Sequence, residues 1–406
     1  MTPLLLRGKK QKGKRKIIFL LFLLCLVALI AFVPQTVRAS AANEEETAAM
    51  EELQKNIKDL LESLDTSELQ DYLDTLSDWK GVDVKEKLMS VITGDYRLDY
   101  SSLAGSVFAL VWDECRLMIP AFAVILAVSL LCGILNSAKS GFIHSTMSDI
   151  INFVGYLSVG AVTLACLIGV LQAGFGAIDA MRKQMEIVYP ILFTLMAASG
   201  GSVSAAIYRP ALVFMSGTIV ELFVSVVLPS SIAVIVLAFV GNLSPEVRTE
   251  KLGDLFKSVN KWLIGLTFTL FSLFLSVQGI AAAQYDGLSL RAVKYVLSGS
   301  VPIVGGFLSG GLDLVLAGSA LIKNAVGSFS LFLLFGTLLR PVVLFAAFQL
   351  FLRLAAAATE PVGGKISPFL SRLAGDCSYF LAGLLCIGFL YFLMLLLLIC
   401  STGVIF

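Results

Sequence analysis

Five ionisable side chains interrupt long apolar stretches of the 406-residue chain: Arg209, Glu221, Asp313, Lys323 and Arg340. A charge at the centre of a bilayer costs roughly 2.5–3.5 kcal/mol on insertion scales, so such groups pair, line a polar path or reach the headgroups. Arg209 and Arg340 stand at or near the ends of apolar segments, where a long side chain can snorkel to the interface. Glu221, twelve residues past Arg209, is the deepest, and Asp313 follows a glycine run at Gly305, Gly306, Gly310 and Gly311. These five are candidates for a polar path or for structural pairs that orient helices, and the structural role is the simpler.

Enzymatic chemistry finds little support. Asp286 and Asp313 invite comparison with intramembrane aspartyl proteases, in which two carboxylates share a proton. Those enzymes hold the second Asp in a Gly-x-Gly-Asp setting. Here the residues are Gly310-Gly311-Leu312-Asp313, and Asp286 falls in a polar connection. The lone His144 has no Cys or His companions at metal-ligand spacing, and no G-x-S-x-G elbow accompanies it. There is no P-loop, so the chain is not expected to hydrolyse nucleotide, and any energy must come from a partner or a gradient. No enzyme activity, cofactor or metal is expected. Of the seven cysteines, Cys25 sits in the N-terminal apolar run, and the other six show no C-x-x-C or disulfide-like spacing. They read as small apolar fillers, with Cys115 the one worth testing for oxidation. Gly200-x-x-x-Ser204 and Gly306-x-x-x-Gly310 place small residues one turn apart; with Gly201 they read as helix-packing glycines.

The elements that hold these residues are membrane helices. Hydrophobic residues make up 57% of the chain, charged residues 15%, and mean hydropathy is +0.89. An average soluble domain is about 45–50% apolar and about 25% charged, so ordinary globular enzymes are excluded. The net charge of +1 conceals three zones. Residues 1–16 carry seven positive charges and no acid; residues 43–115 carry 18 Asp and Glu against 6 Lys and Arg; the remainder is mildly basic. Nothing in this distribution is a nucleic-acid footprint.

The basic start, the apolar run Ile17–Val33, Pro34 and the small residues Ala39 and Ala41 have the layout of a secretory signal peptide. The acidic segment after it has helical periodicity: Leu53, Ile57, Leu60, Leu61 and Leu64, then Leu69, Tyr72, Leu73, Leu76 and Trp79. Ser67 with Gln70 matches a capping box. A further helix is expected from Val84 to Thr93, capped by Asp83 and stopped by a left-handed Gly94. A fourth is expected from about Tyr100 to Pro120. Its charge reads as a solvated face or, more sharply, an acidic docking surface.

Clear spans are 117–138, 151–171, 187–207, 262–283 and 378–402 by the requirement for about 20 apolar residues. Residues 211–241, with Pro229-Ser230-Ser231, 301–322, rich in glycine, and 326–357, with Arg340-Pro341, read as broken or re-entrant. This gives seven to nine membrane segments. Positive-inside counting is balanced and leaves orientation open. Residues 139–150, 172–186, 244–261, 284–296 and 358–376 are too polar to span and read as interfacial helices or lids. Arg209-Pro210 with Arg340-Pro341, and Tyr189-Pro190-Ile191 with Val301-Pro302-Ile303, hint at an internal repeat of the kind found in transporters.

Val188-Tyr189-Pro190-Ile191-Leu192, Ser199-Gly200-Gly201, Ser300-Val301-Pro302-Ile303-Val304-Gly305-Gly306-Phe307 and Glu360-Pro361 together resemble the stage III sporulation protein AE family of endospore-forming Firmicutes. The similarity covers roughly residues 100–406. It implies a subunit of a channel or secretion-like complex in the mother-cell membrane around the forespore, needed for late forespore sigma-factor activity after engulfment. The implied partners are the other stage III operon membrane proteins, their ATPase, and a forespore-side protein across the intermembrane space.

The expected fold is all-α: a polytopic membrane helical bundle with broken or re-entrant and amphipathic interfacial helices, plus a small N-terminal extracytoplasmic helical segment. The expected organisation is a signal peptide at 1–39, the acidic segment at 40–115 and the membrane domain at 116–406. A stand-alone transporter or permease is the alternative function.

Overall fold

A computed structural model describes residues 44–76, 80–94, 100–137, 145–243, 249–274, 305–362 and 366–401. The segment expected to be a signal peptide, His144, Asp286 and the connector 284–296 lie outside the described residues, as does the Val301-Pro302-Ile303 element. The chain divides into two units, Met1–Glu52 and Leu53–Phe406. Of the first, residues 44–52 are described and are helical; everything below concerns the second. All regular structure among the described residues is helical: α1 (Glu44–Ser63), α2 (Ser67–Thr75), α3 (Val84–Thr93), α4 (Tyr100–Ser137), α5 (Ser145–Ala198), α6 (Ser202–Leu222), α7 (Leu228–Leu243), α8 (250–274), α9 (Gly305–Thr359) and α10 (Ile366–Cys400).

The small N-terminal helices follow their local signals. Asp83 caps α3, its Oδ1 accepting from the N–H groups of Lys85 (2.7 Å) and Glu86 (3.2 Å), and Gly94 ends it at φ 74°. The capping box is different from expectation. Thr66, not Ser67, is the N-cap of α2 and makes no side-chain cap. Ser67 instead bonds Asp65, whose carboxyl is held below its usual range by the Ser67 hydroxyl and then by the Ser67 N–H. Gln70 serves a neighbouring segment: its Nε2 donates to the Val82 carbonyl and its Oε1 accepts from Val84 N–H, both at 2.9 Å. The apolar side of α1–α3 is buried at Ile57, Leu61, Leu69, Leu73, Val84 and Leu88, while Lys58, Asp59, Glu62, Glu68 and Asp71 face out. Leu60 and Ile57 lie against Gly318 of α9.

Five apolar stretches are long enough to cross a bilayer among the described residues: Gly105–Cys132, Phe153–Ala198, Ser216–Gly241, Leu314–Thr359 and Ile366–Cys400. Two of them run for 46 residues, about 70 Å of helix against a hydrocarbon core of about 30 Å. The spans expected at 151–171 and at the start of 187–207 therefore belong to one continuous helix, with the connector 172–186 inside it. Along α5 the exposed residues change character. Phe153, Val154, Leu157, Ile168 and Phe175 are followed by Asp179, Arg182, Lys183 and Glu186.

The prolines do not break the helices. α4 continues through Pro120 and α9 through Arg340-Pro341. Before Pro229 the backbone widens into a π-turn at Phe223–Val227 instead of stopping. Proline cannot donate to the preceding turn, and the serines nearby bond other backbone carbonyls of the same stretch. Ser225 donates to the Glu221 carbonyl, and Ser230 and Ser231 both donate to that of Val227.

The core lies where α9 and α10 pack along each other, with α5 on one side. Phe345 stacks on Phe380 at 5.1 Å, and Phe175 meets Phe380 edge-on at 5.3 Å. Tyr156, Phe239 and Phe369 form a second aromatic cluster, and the Tyr156 hydroxyl donates to the Phe239 carbonyl at 2.7 Å. Glycines let these surfaces close. A Cβ at Gly174 would stand 2.6 Å from the Phe380 ring, at Gly327 2.3 Å from Ile399, and at Gly388 2.4 Å from Leu338.

Gly174→Ala is therefore expected to destabilise the bundle by about 1–3 kcal/mol through overpacking. Gly176→Ala, whose Cβ meets nothing within 4 Å, should be nearly neutral. Thermal unfolding of the two variants in detergent checks the contrast.

Candidate functional site

Three groups of polar contacts hold helices together inside the second unit. The first joins the N-terminal helices to the bundle. Gln184 of α5, 1% exposed, donates from Nε2 to the Tyr72 hydroxyl (3.0 Å) and to Thr337 Oγ1 of α9 (2.7 Å). A single buried amide thus ties α2, α5 and α9. Burial pushes the Tyr72 hydroxyl above its usual value near 10, against the smaller opposing effect of these hydrogen bonds.

The second group lies at one level of the bundle. Arg340 Nε donates to Glu114 Oε1 at 2.9 Å; the Arg side chain is 69% exposed and the Glu side chain 9%. Glu114 opens the inward stripe of α4, followed by Met118, Ile125, Ser129 and Cys132 at steps of four, seven, four and three residues. Nearby in type, Arg182 reaches Glu186 (3.6 Å) and Glu221 (3.8 Å), and Lys183 reaches Asp179 (3.1 Å), all well exposed. Such exposed pairs contribute about 0–1 kcal/mol each.

The third group is set among α7, α8 and α10. Lys257 Nζ meets Asp376 Oδ1 at 2.7 Å, the Asp side chain 8% exposed. Asn260, wholly buried, bonds both Ser230 and Ser231. Arg372 Nη1 donates to Glu250 Oε1 at 2.7 Å.

The expected residues scatter among these groups. Arg340 has its partner. Glu221 is exposed and sits on Arg182, not deep in the bundle; Arg209 is exposed. Lys323 is enclosed in α9 at 0% exposure, with Cys400 of α10 in electrostatic reach. Asp313 is on α9, but its side chain lies outside the described residues, as do the surroundings of Gly306 and Gly310. Gly200 and Gly201 make a turn: Gly200 has φ 92°, its N–H bonds the Ala197 carbonyl, and the Gly201 N–H bonds that of Met196. This is the Schellman pattern that ends α5, and the packing glycines are others. No disulfide joins the six described cysteines. No cluster of metal-ligating residues occurs among the described residues.

Sequence reasoning passed over Gln184, Glu114, Lys257, Asn260 and Asp376. Glu114 fell in the acidic segment, and the others in or at the edge of stretches set aside as amphipathic connectors. One signal was available: Glu250, Asp254, Lys257 and Lys261 recur at four, three and four, a helical stripe.

Long apolar helices, lipid-compatible outer faces and polar groups paired inward define a polytopic α-helical membrane protein. A family model described as stage III sporulation protein AE matches residues 82–403, and the chain belongs to that family. It is similar to stage III sporulation protein AE of Bacillus subtilis (strain 168), with 26% identity over 338 residues, 82% of this chain and 85% of that protein. No solved structure matches.

Two outcomes follow from these contacts. Lys257→Met leaves the Asp376 carboxylate buried without its cation and is expected to cost about 1–3 kcal/mol. Combining it with Asp376→Leu should recover most of that loss in thermal unfolding. For Tyr72, the folded state holds the hydroxyl proton more tightly than the unfolded chain. Its stabilisation is complete below the unfolded value near 10 and is lost as pH rises beyond it. Tyr72→Phe should cost about 1 kcal/mol at neutral pH and remove this part of the alkaline loss, read as unfolding temperature against pH.

Proposed function

We propose that the chain is a multi-pass subunit of the channel or secretion-like complex that joins mother cell and forespore, needed for late forespore sigma-factor activity after engulfment. The observation that carries this reading is family membership across residues 82–403, from the start of α3 to the end of α10. In this reading residues 1–39 are a signal peptide and residues 40–115 are extracytoplasmic. Residues 116–406 sit in the mother-cell membrane surrounding the forespore. The acidic outer face of α1–α3 is turned to the intermembrane space, where a forespore-side partner and the other operon-encoded membrane proteins meet it. An ATPase among those partners supplies the energy, in keeping with a chain that has no P-loop of its own. The buried polar residues serve assembly and transport, not catalysis.

A second reading, a stand-alone permease, draws on the buried Lys257–Asp376 pair and Asn260, the kind of intramembrane polar group on which transporters rely. It requires solute flux in liposomes holding this protein alone.

A clean deletion complemented by the wild-type copy tests the first reading. Engulfment is expected to finish while a late forespore reporter stays dark. A bright reporter and normal spores in the deletion strain would overturn it.

A further inference from the structure

From Arg340 to Thr359, α9 runs for about 30 Å, the thickness of a hydrocarbon core. Contacts between helices fix what else lies at that depth. Phe345 stacks on Phe380, Ser378 donates to Gln349 Oε1 (3.2 Å) and Ser367 donates to the Ala356 carbonyl (2.8 Å). Residues 367–380 of α10 therefore run antiparallel beside residues 345–356 of α9. Phe122 of α4 packs on Phe351 at 5.3 Å and brings α4 to the same depth.

On the α4 side this depth suits acyl chains. Leu117, Ile119, Val124, Leu131 and Ile134 are 46–72% exposed, and no Asp, Glu, Lys or Arg occurs between Arg116 and Lys139. On the α8 side it is charged. Glu250 and Arg372 form their ion pair with 71% and 56% of their side chains exposed. Lys257 pairs with Asp376, Lys261 Nζ stands 5.6 Å from the Tyr379 ring centroid, and Asp254 is exposed. The spacing 250, 254, 257, 261 puts four of the five α8 charges on one stripe, and the fifth, Lys251, is exposed in the first turn, where a long side chain can reach the headgroups. Leu252, Leu255, Val259 and Trp262 are exposed on the adjoining stripe.

Hydrocarbon cannot solvate an open ion pair, whereas it suits the neighbouring apolar stripe. We propose that the charged stripe of α8, with Arg372 of α10, walls a water-filled path at bilayer depth. Lipid meets the apolar stripe of the same helix. The wall carries both acids and bases, which suits hydrated ions and small polar solutes without selection for one sign. This rests on the reading of the chain as a membrane channel subunit and names the face of that subunit that meets water.

Adjacent residues on the two stripes make the test. Ser258→Cys lies at the border of the charged stripe, four residues after Asp254 and three before Lys261, and Val259→Cys lies within the apolar stripe, both exposed and at one depth. In native membranes from sporulating cells, with the full complex present, a membrane-impermeant cationic thiol reagent should label Ser258→Cys above the wild-type background. Val259→Cys should react at least about ten-fold more slowly. Asp254→Cys and Leu255→Cys repeat the comparison one turn away if a first variant fails to accumulate. Equal labelling of both stripes would place α8 outside the hydrocarbon and overturn the proposal. Protection of both would replace the water with a partner protein and overturn it too. Either result leaves the deletion phenotype untouched, so the water-lined face and the sporulation role fail separately.

Discussion

Hydrocarbon offers no hydrogen bonds, and this constraint governs the molecule. Backbone groups must be satisfied within each segment, which is why every described element is a helix. It is also why four prolines inside long helices leave those helices running. The same constraint sorts the side chains. Apolar residues cover the outside of α4 and the first half of α5, while Gln184, Asn260 and Asp376 turn inward to meet partners from other helices. Where no water drives apolar surfaces together, close approach must supply the cohesion. Gly174, Gly327 and Gly388 provide it by admitting Phe380, Ile399 and Leu338 to backbone distance.

Within that frame the polar contacts act as locators. Gln184 receives the N-terminal helices through Tyr72 and joins them to α9 through Thr337. In the proposed placement of α1–α3 outside the membrane, the parts of α5 and α9 they touch sit with water or headgroups despite their hydropathy. That explains how a 46-residue apolar stretch can belong to a helix that needs only about 20 residues to cross. Part of its apolar surface is buried against protein, not lipid.

Local features were readable from the sequence. Asp83, the periodic residues of α3 and Gly94 fixed both ends of that helix, because capping depends on residues a few positions apart. The capping box at Ser67 failed because Gln70 found a better use fourteen residues away, at Val84. The bundle's polar pairs were harder to see for the same reason on a larger scale. Arg340 was noticed as a charge in an apolar stretch, but Glu114, 226 residues earlier, was read as part of an acidic soluble segment. Connectors defined by their polarity hid Lys257, Asn260 and Asp376. A charge that looks too costly for a membrane is cheap once its partner arrives from another helix. Glycines misled in the opposite direction. Gly200 falls in a small-residue pattern, yet its positive φ marks a chain reversal.

The π-turn at Phe223–Val227 has an evolutionary corollary. Such a turn is equivalent to one residue inserted into an α-helix, and it rotates everything after it by roughly 100°. Downstream of it, Ser230 and Ser231 point at Asn260, and Leu228 sits against Gly383. A homologue lacking that residue would present a different side of α7 to α8 and α10. Between Glu221 and Pro229, then, length matters more than identity. Conservative exchanges there keep the helix in phase, whereas a single-codon deletion would dephase one whole wall of the bundle.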